Sequence, residues 1–191
     1  MDQSAMLQKV KKRLPENRYN HVLGVLGTAV ELAKRFNVPE EKVQVAAILH
    51  DVAKFSDRQW MQSVIISQKM DPLLLDYHAE LWHAPVGAYV ASYEFGVNDE
   101  DVLNAIRYHT TGRAGMSDLE KIIYVADMVE PNRKFTGVDE LRQLKEQGLD
   151  VMMEVCIKHS IEFLVSKNQP VFPDSLKCYE YFTKQKGKVK E

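Results

Sequence analysis

His21, the adjacent pair His50 and Asp51, and Asp127 supply two imidazoles and two carboxylates, with 29 residues from His21 to His50 and 76 from Asp51 to Asp127. If they meet in space, that donor set suits Fe, Mn, Co or Zn rather than a thiolate-selected ion. An isolated HD dipeptide proves little, because a histidine at the edge of a core face is usually just hydrogen-bonded. His83 and His109 widen the set. Each of these residues falls on or at the end of an apolar stripe. A polar group buried there is costly unless such groups satisfy one another or share a ligand, and a common metal ion resolves that cost.

The elements that must position them read as helices, because most segments carry the 3.6-residue apolar period rather than alternation. Over 17–36, His21, Gly24, Val25, Thr28, Ala29 and Leu32 form one stripe whose small residues permit close approach. After Pro39 at a first helical turn, Val43, Ala46, Ala47, His50 and Asp51 share one face of a helix that carries both ligand candidates. His83 heads a helix closed by Gly96, and Val102, Ala105, Ile106 and His109 line another, with Asn98 as its expected N-cap and Asp101 as the third-position acid. Ser117 and Glu120 stand in capping-box spacing before Ile123 and Asp127, and Pro131 ends that helix. Further helices are expected over 1–14, 57–68, 138–147 and 150–166, with loops over 110–116 and 168–174. The fold class is therefore all-α. A single domain is expected over residues 1–191, with its core at about 15–135 and C-terminal helices completing the bundle and the nucleotide pocket.

Composition narrows the partners. The 191 residues are 45% hydrophobic and 27% charged, with 25 Lys plus Arg against 27 Asp plus Glu and a net charge of −2. That balance argues against nucleic acid or a membrane surface as a partner, and any anion must be held by a local site. Two cysteines, Cys156 and Cys178, form no CxxC and fit a reducing compartment. With no apolar run of membrane-spanning length and no signal-peptide core in MDQSAMLQKVKKRL, the expected location is the cytoplasm. His78 and His159 lie in no motif, the KKR run at 11–13 reads as a solvated helix face, and the KQKGKVK tail at 184–190 as a frayed end.

The ordered His, HD and Asp set, with HDVAK at 50–54 and YVADMVEP at 124–131, resembles the HD superfamily of metal-dependent phosphohydrolases, which implies an HD-domain helical bundle. NHVLGV at 20–25, WHAPVGA at 82–88, YHTTGRAGM at 108–116 and ADMVEPNR at 126–133 narrow the resemblance to the bacterial YqeK family. Those enzymes are symmetrically cleaving bis(5'-nucleosyl)-tetraphosphatases, and the likeness spans roughly residues 5–175. It implies His21, His50, Asp51 and Asp127 as metal ligands, iron as the metal, and diadenosine tetraphosphate as a substrate cut at its centre into two ADP.

A metal in such a site lowers the pKa of a water and polarises the phosphoryl group. Asp51 either orients or deprotonates that water or serves purely as a ligand. His83 and His109 either bind phosphate or complete a second metal position, so one or two ions are expected. Lys54, one turn after His50, is a candidate to neutralise charge on the transferring phosphoryl, and Arg18 and Arg133 to fork onto phosphate oxygens. Thr110 offers a hydroxyl, Gly112 lets its loop come close, and Pro170 and Phe172 could wall a nucleobase. Two other readings share these residues: a 5'-nucleotidase or cyclic-nucleotide phosphodiesterase, and a non-catalytic module that binds an ADP-like nucleotide. Oligomeric state stays open, with a homodimer among the options.

Overall fold

The structure, a computed structural model, describes residues 2–185. Ten α-helices and three short 3-10 turns carry the described chain, with no strand among those residues. They are α1 (Gln3–Lys11), α2 (Glu16–Phe36), α3 (Glu40–Leu49), α4 (Arg58–Ser67), α5 (His83–Phe95), α6 (Glu100–Arg107), α7 (Asp118–Val129), α8 (Val138–Gln143), α9 (Leu149–Ser166) and α10 (Pro173–Gln185). No helix among the described residues is long and apolar enough to cross a membrane.

Helix α7 is the axis of the molecule. Every residue from Leu119 to Ala126 is buried, as befits a helix covered on all sides by α2, α3, α6 and α9. Two ionic residues of that run survive burial because they are paired: Glu120 completes the expected capping box with Ser117 and accepts Nε and Nη2 of Arg113, and Lys121 reaches Asp150 at 2.6 Å. The apolar members, Ile122, Ile123 and Val125, each add about 1.5–3 kcal/mol by leaving water. Around this axis one apolar cluster runs from Met6 to Phe182.

Helix α2 meets α3 and α7 along the predicted small-residue stripe. Its glycine at 24 is needed for closeness rather than for dihedral freedom: a Cβ there would lie 2.2 Å from Glu130 Oε2.

Three expectations are corrected. Helix α3 stops at Leu49, so His50 is its C-cap and Asp51 begins the turns that follow; the pair projects from a helix end and not from a helix face. The N-cap of α6 is Asp99 and not Asn98, since Asp99 accepts the amides of Asp101 and Val102, while the Asp101 carboxylate accepts the Ser117 hydroxyl at 2.6 Å. Last, the chain resumes helix at Pro173, so the loop is shorter than 168–174 and α10 packs on α9 where no helix was anticipated. Pro173 at the first helical position marks that start. Of the KQKGKVK tail, residues 186–190 lie outside the described chain.

Candidate metal and phosphate site

The polar cluster forms where helix ends meet. His21 comes from the first half of α2, His50 and Asp51 from the end of α3, and His83 opens α5. His109 follows α6, and Asp127 lies in the last turn of α7. The C-terminal ends of α3, α6 and α7 thus converge, and their dipoles favour a cation. His50 and Asp51 are fully buried, and His83, His109 and His21 are nearly so at 3%, 2% and 6% exposure. Neighbouring rings stand 5.0–5.5 Å apart: His21 to His50, His50 to His109, and His109 to His83.

Hydrogen bonding assigns the ring nitrogens. His50 Nδ1 donates to the Ala47 carbonyl at 2.7 Å, His83 Nδ1 to Glu80 at 2.6 Å, and His109 Nδ1 to Ile106 at 2.8 Å, in every case the residue three before. A carbonyl can only accept, so each Nδ1 carries a hydrogen and each ring turns its Nε2 inward, as a lone pair wherever the ring is neutral. His21 Nδ1 faces Glu130 Oε1 at 2.9 Å instead.

These inward nitrogens surround Asp51. Its Oδ2 lies 3.2 Å from His50 Nε2 and 3.7 Å from His21 Nε2; its Oδ1 lies 3.2 Å from His83 Nε2 and 3.8 Å from His109 Nε2. Two groups result, His21 with His50 and Asp51, and Asp51 with His83 and His109, each with ligand atoms within 4.8 Å of one another. Asp127 Oδ1 joins the first at 2.9 Å from His21 Nε2, but out of line for a hydrogen bond.

The donors fit a metal. His21 Nε2, His50 Nε2 and Asp51 Oδ1 are buried without a hydrogen bond, a costly state that coordination relieves. His83 Nε2 and His109 Nε2 face each other at 3.1 Å, although both Nδ1 protons are already committed. Two such lone pairs need a proton or a cation between them, and two nitrogens bound to one ion at about 2.1 Å lie about 3.0–3.4 Å apart.

Burial pushes the Asp51 carboxyl up, yet His50, His83 and Arg18 outweigh it and hold the group well below the usual range. Burial likewise opposes ionisation of Asp127, and His21 and Arg133 overcome it. Burial and the neighbouring His83 and His50 bring His109 down to about 3, leaving a neutral imidazole at pH 7. For His50 burial acts downward too, but the adjacent Asp51 raises it.

The cluster opens to solvent beside Asp127, whose side chain is 16% exposed. Arg18 bonds Asp51 Oδ2 there, and Arg133 reaches the carboxylate and the carbonyl of Asp127. Both arginines therefore reach carboxylates of the cluster. Lys54 does not: its ammonium pairs with Glu80 at 2.7 Å. Thr110 has a buried hydroxyl with no partner and, with Phe172, Pro170 and Glu80, lines a cavity of about 290 Å³ next to the cluster. A larger cavity of about 420 Å³ also touches Thr110 and Phe172, and neither cavity is lined by a histidine or aspartate of the cluster. Phe172 is held edge-on against Tyr77 at 5.0 Å. Of the histidines outside the motifs, His78 caps the 3-10 turn at Glu80, and His159 packs on Phe135. The 11–13 run is exposed, but it is not a helix face, because α1 ends at Lys11.

Sequence reasoning passed over Glu130, Glu80 and Arg113. Glu130 stands inside the ADMVEPNR motif, but its partner His21 is 109 residues away. Arg113 of HTTGR binds Glu120 and stacks over Tyr108 at 5.1 Å, so it braces the loop after His109.

The profile of the HD domain family matches residues 18–132, the stretch that carries all six clustered residues and ends just past Asp127. The chain belongs to the HD domain family. It is 52% identical over 181 residues to a Bacillus subtilis protein named bis(5'-nucleosyl)-tetraphosphatase, symmetrical, covering 95% of this chain and 97% of the relative. A Staphylococcus aureus protein of the same name is 38% identical over 183 residues, covering 95% and 94%. A crystal structure described as a predicted HD superfamily hydrolase involved in NAD metabolism, from Clostridium acetobutylicum, superposes with a TM-score of 0.92 at 34% identity and covers 97% of this chain and 98% of that one. The resemblance carried by HDVAK, HTTGR and ADMVEPNR is thereby borne out.

Proposed function

We propose that the protein hydrolyses diadenosine tetraphosphate at its central phosphoanhydride, releasing two ADP. The observation that carries this reading is the ring of inward Nε2 atoms around one buried carboxylate, in a chain that matches a protein named for that reaction over 95% of its length. His21, His50, Asp51 and Asp127 would hold one ion, and Asp51, His83 and His109 a second, with iron the first to test and Mn, Co and Zn after it. The ions, when bound, polarise the phosphoryl group and make a water nucleophilic at neutral pH.

The chain's residues supply the remainder. Asp51 presents one oxygen to each group of histidines, which supports a ligand role over that of a general base. The facing nitrogens of His83 and His109 favour metal binding over phosphate binding. Arg18 and Arg133, paired with Asp51 and Asp127 at the open side, would take phosphate oxygens by bidentate hydrogen bonds and so bring positive charge to the substrate. Lys54 would have to leave Glu80 to reach a phosphate, so its contribution is a positive charge behind His83 rather than a direct contact. Thr110 offers its free hydroxyl to the substrate, and Pro170 and Phe172 wall the space for one nucleoside.

Product analysis tests the proposal. Metal-loaded protein given diadenosine tetraphosphate in ¹⁸O-water should yield two ADP, one of them carrying a single ¹⁸O. ATP plus AMP, or faster turnover of a 5'-nucleotide or cyclic nucleotide, would overturn it.

A further inference from the structure

Glu130 is 1% exposed and carries a charge that the sequence motif does not explain. Its Oε2 accepts the Asn132 backbone amide at 2.7 Å and the Asn132 side-chain amide at 3.0 Å, and its Oε1 faces His21 Nδ1 at 2.9 Å. Among the described residues His21 is its only ionic contact. Two N–H groups on Oε2 favour the ionised carboxylate that glutamate ordinarily is at neutral pH, and an ionised Oε1 can only accept, so that His21 Nδ1 donates. The same ring's Nε2 then turns a lone pair towards Asp127 and Asp51, where only a cation is stable. The other three rings are oriented by neutral backbone carbonyls, whereas His21 alone leans on a full negative charge.

Gly24, one turn after His21, makes room for this. A Cβ there would stand 2.2 Å from Glu130 Oε2, too close for that carboxylate to stay, and 3.2 Å from Asn132 Nδ2, which would have to give by a few tenths of an ångström. Arg142 braces the turn from behind, donating to the carbonyls of Val129, Glu130 and Arg133.

We propose that Glu130, admitted by the bare backbone of Gly24 and locked by Asn132, is a positioning residue that fixes the proton of His21 and strengthens its Nε2 as a metal donor. The proposal rests on the reading of His21 as a metal ligand. A carboxylate behind a ligating histidine fixes its tautomer and raises its basicity, and its loss weakens binding by roughly tenfold to a hundredfold.

The test measures Zn²⁺ affinity of the full chain by chelator competition, for wild type, E130Q, E130A, G24A and the double variant G24A/E130A. E130Q, E130A and G24A should weaken the site that contains His21 by roughly tenfold to a hundredfold. The double variant should be no weaker than E130A, because G24A acts only by expelling Glu130. In ¹⁵N spectra of histidine-labelled, metal-free protein, His21 should show the Nδ1–H form in wild type and lose it in E130A. E130Q, which keeps the side-chain volume, carries the affinity arm if E130A does not fold. Unchanged affinity in E130Q and G24A, or an equal penalty for G24A with and without Glu130, overturns the positioning role while leaving the metal reading intact. Wild-type protein that binds no Zn²⁺ overturns both.

Discussion

The histidines of the cluster differ in what their outer nitrogen touches, and that difference is the chemistry. Three hand Nδ1 to a carbonyl three residues back, a bond that a helix end makes available without help from elsewhere in the chain. Removing one of the second group, as in His109→Ala, should lower the metal content measured by inductively coupled plasma spectrometry from two ions per chain to one; an unchanged ratio would return His83 and His109 to phosphate binding. Asp127→Ala removes the carboxylate at the open side and should reduce turnover by at least about 100-fold while circular dichroism stays native. The thiols behave oppositely to the site. Burial pushes both Cys156 and Cys178 up to about 12 from an ordinary value of 9.0. At pH 8 the thiolate fraction is then on the order of 10⁻⁴, so native protein should resist iodoacetamide that labels the unfolded chain twice. Because the folded values are raised, the unfolded chain loses those protons first, and stability should fall as pH rises from about 9 towards 12.

At the scale of elements, the caps decide where helices stop and therefore where the clustered side chains point. The Ser117 and Glu120 box was legible because it is local, and the structure adds that the Ser117 hydroxyl donates to Asp101 and so ties α7 to α6. Ser117→Ala should cost about 1–2 kcal/mol, seen as a fall in Tm of roughly 2–8 °C. Gly112, at φ +64, lets the loop after His109 lie on α10, where a Cβ would come 2.7 Å from Cys178 Sγ. Gly112→Ala should therefore lower Tm and, because the loop holds Thr110, raise KM more than it lowers kcat. A lower kcat at constant KM would show that the loop shapes the metal cluster instead. The existence of α2, α5, α6, α7 and α9 was readable from apolar period alone. The end of α3 was not, since His50 and Asp51 continue the face of that helix in sequence and leave it only because the chain turns to bring them to the centre. Helix α10 was missed for a different reason. Its inner face, Ser175, Cys178, Tyr179 and Phe182, mixes small, polar and aromatic residues rather than a continuous aliphatic stripe, and it is defined by packing on α9.

For the molecule as a whole, the cluster stores unsatisfied polarity at the point where α2, α3, α5, α6 and α7 meet, so metal and fold should stabilise each other. Metal at about a thousandfold above its Kd adds about 4 kcal/mol to stability, worth on the order of 10 °C in Tm. Chelation of the loaded protein should lower Tm by that much, read by differential scanning calorimetry, and re-addition of metal should restore it. An equal Tm with and without chelator would mean that the site contributes nothing to the fold.

Some of this was determined by the sequence alone: an all-α chain, a nitrogen and oxygen donor set without thiolates, and motifs specific enough to place it beside the tetraphosphatases. Residue type, helical period and motif spacing are local quantities, and a reader of the chain has all of them. Only the tertiary structure decided which oxygen of Asp51 faces which pair of histidines, that Lys54 is tied to Glu80, and that Glu130 stands behind His21. Those are distances between residues as many as 109 positions apart, set by how helices pack and where they end, and no local pattern encodes them.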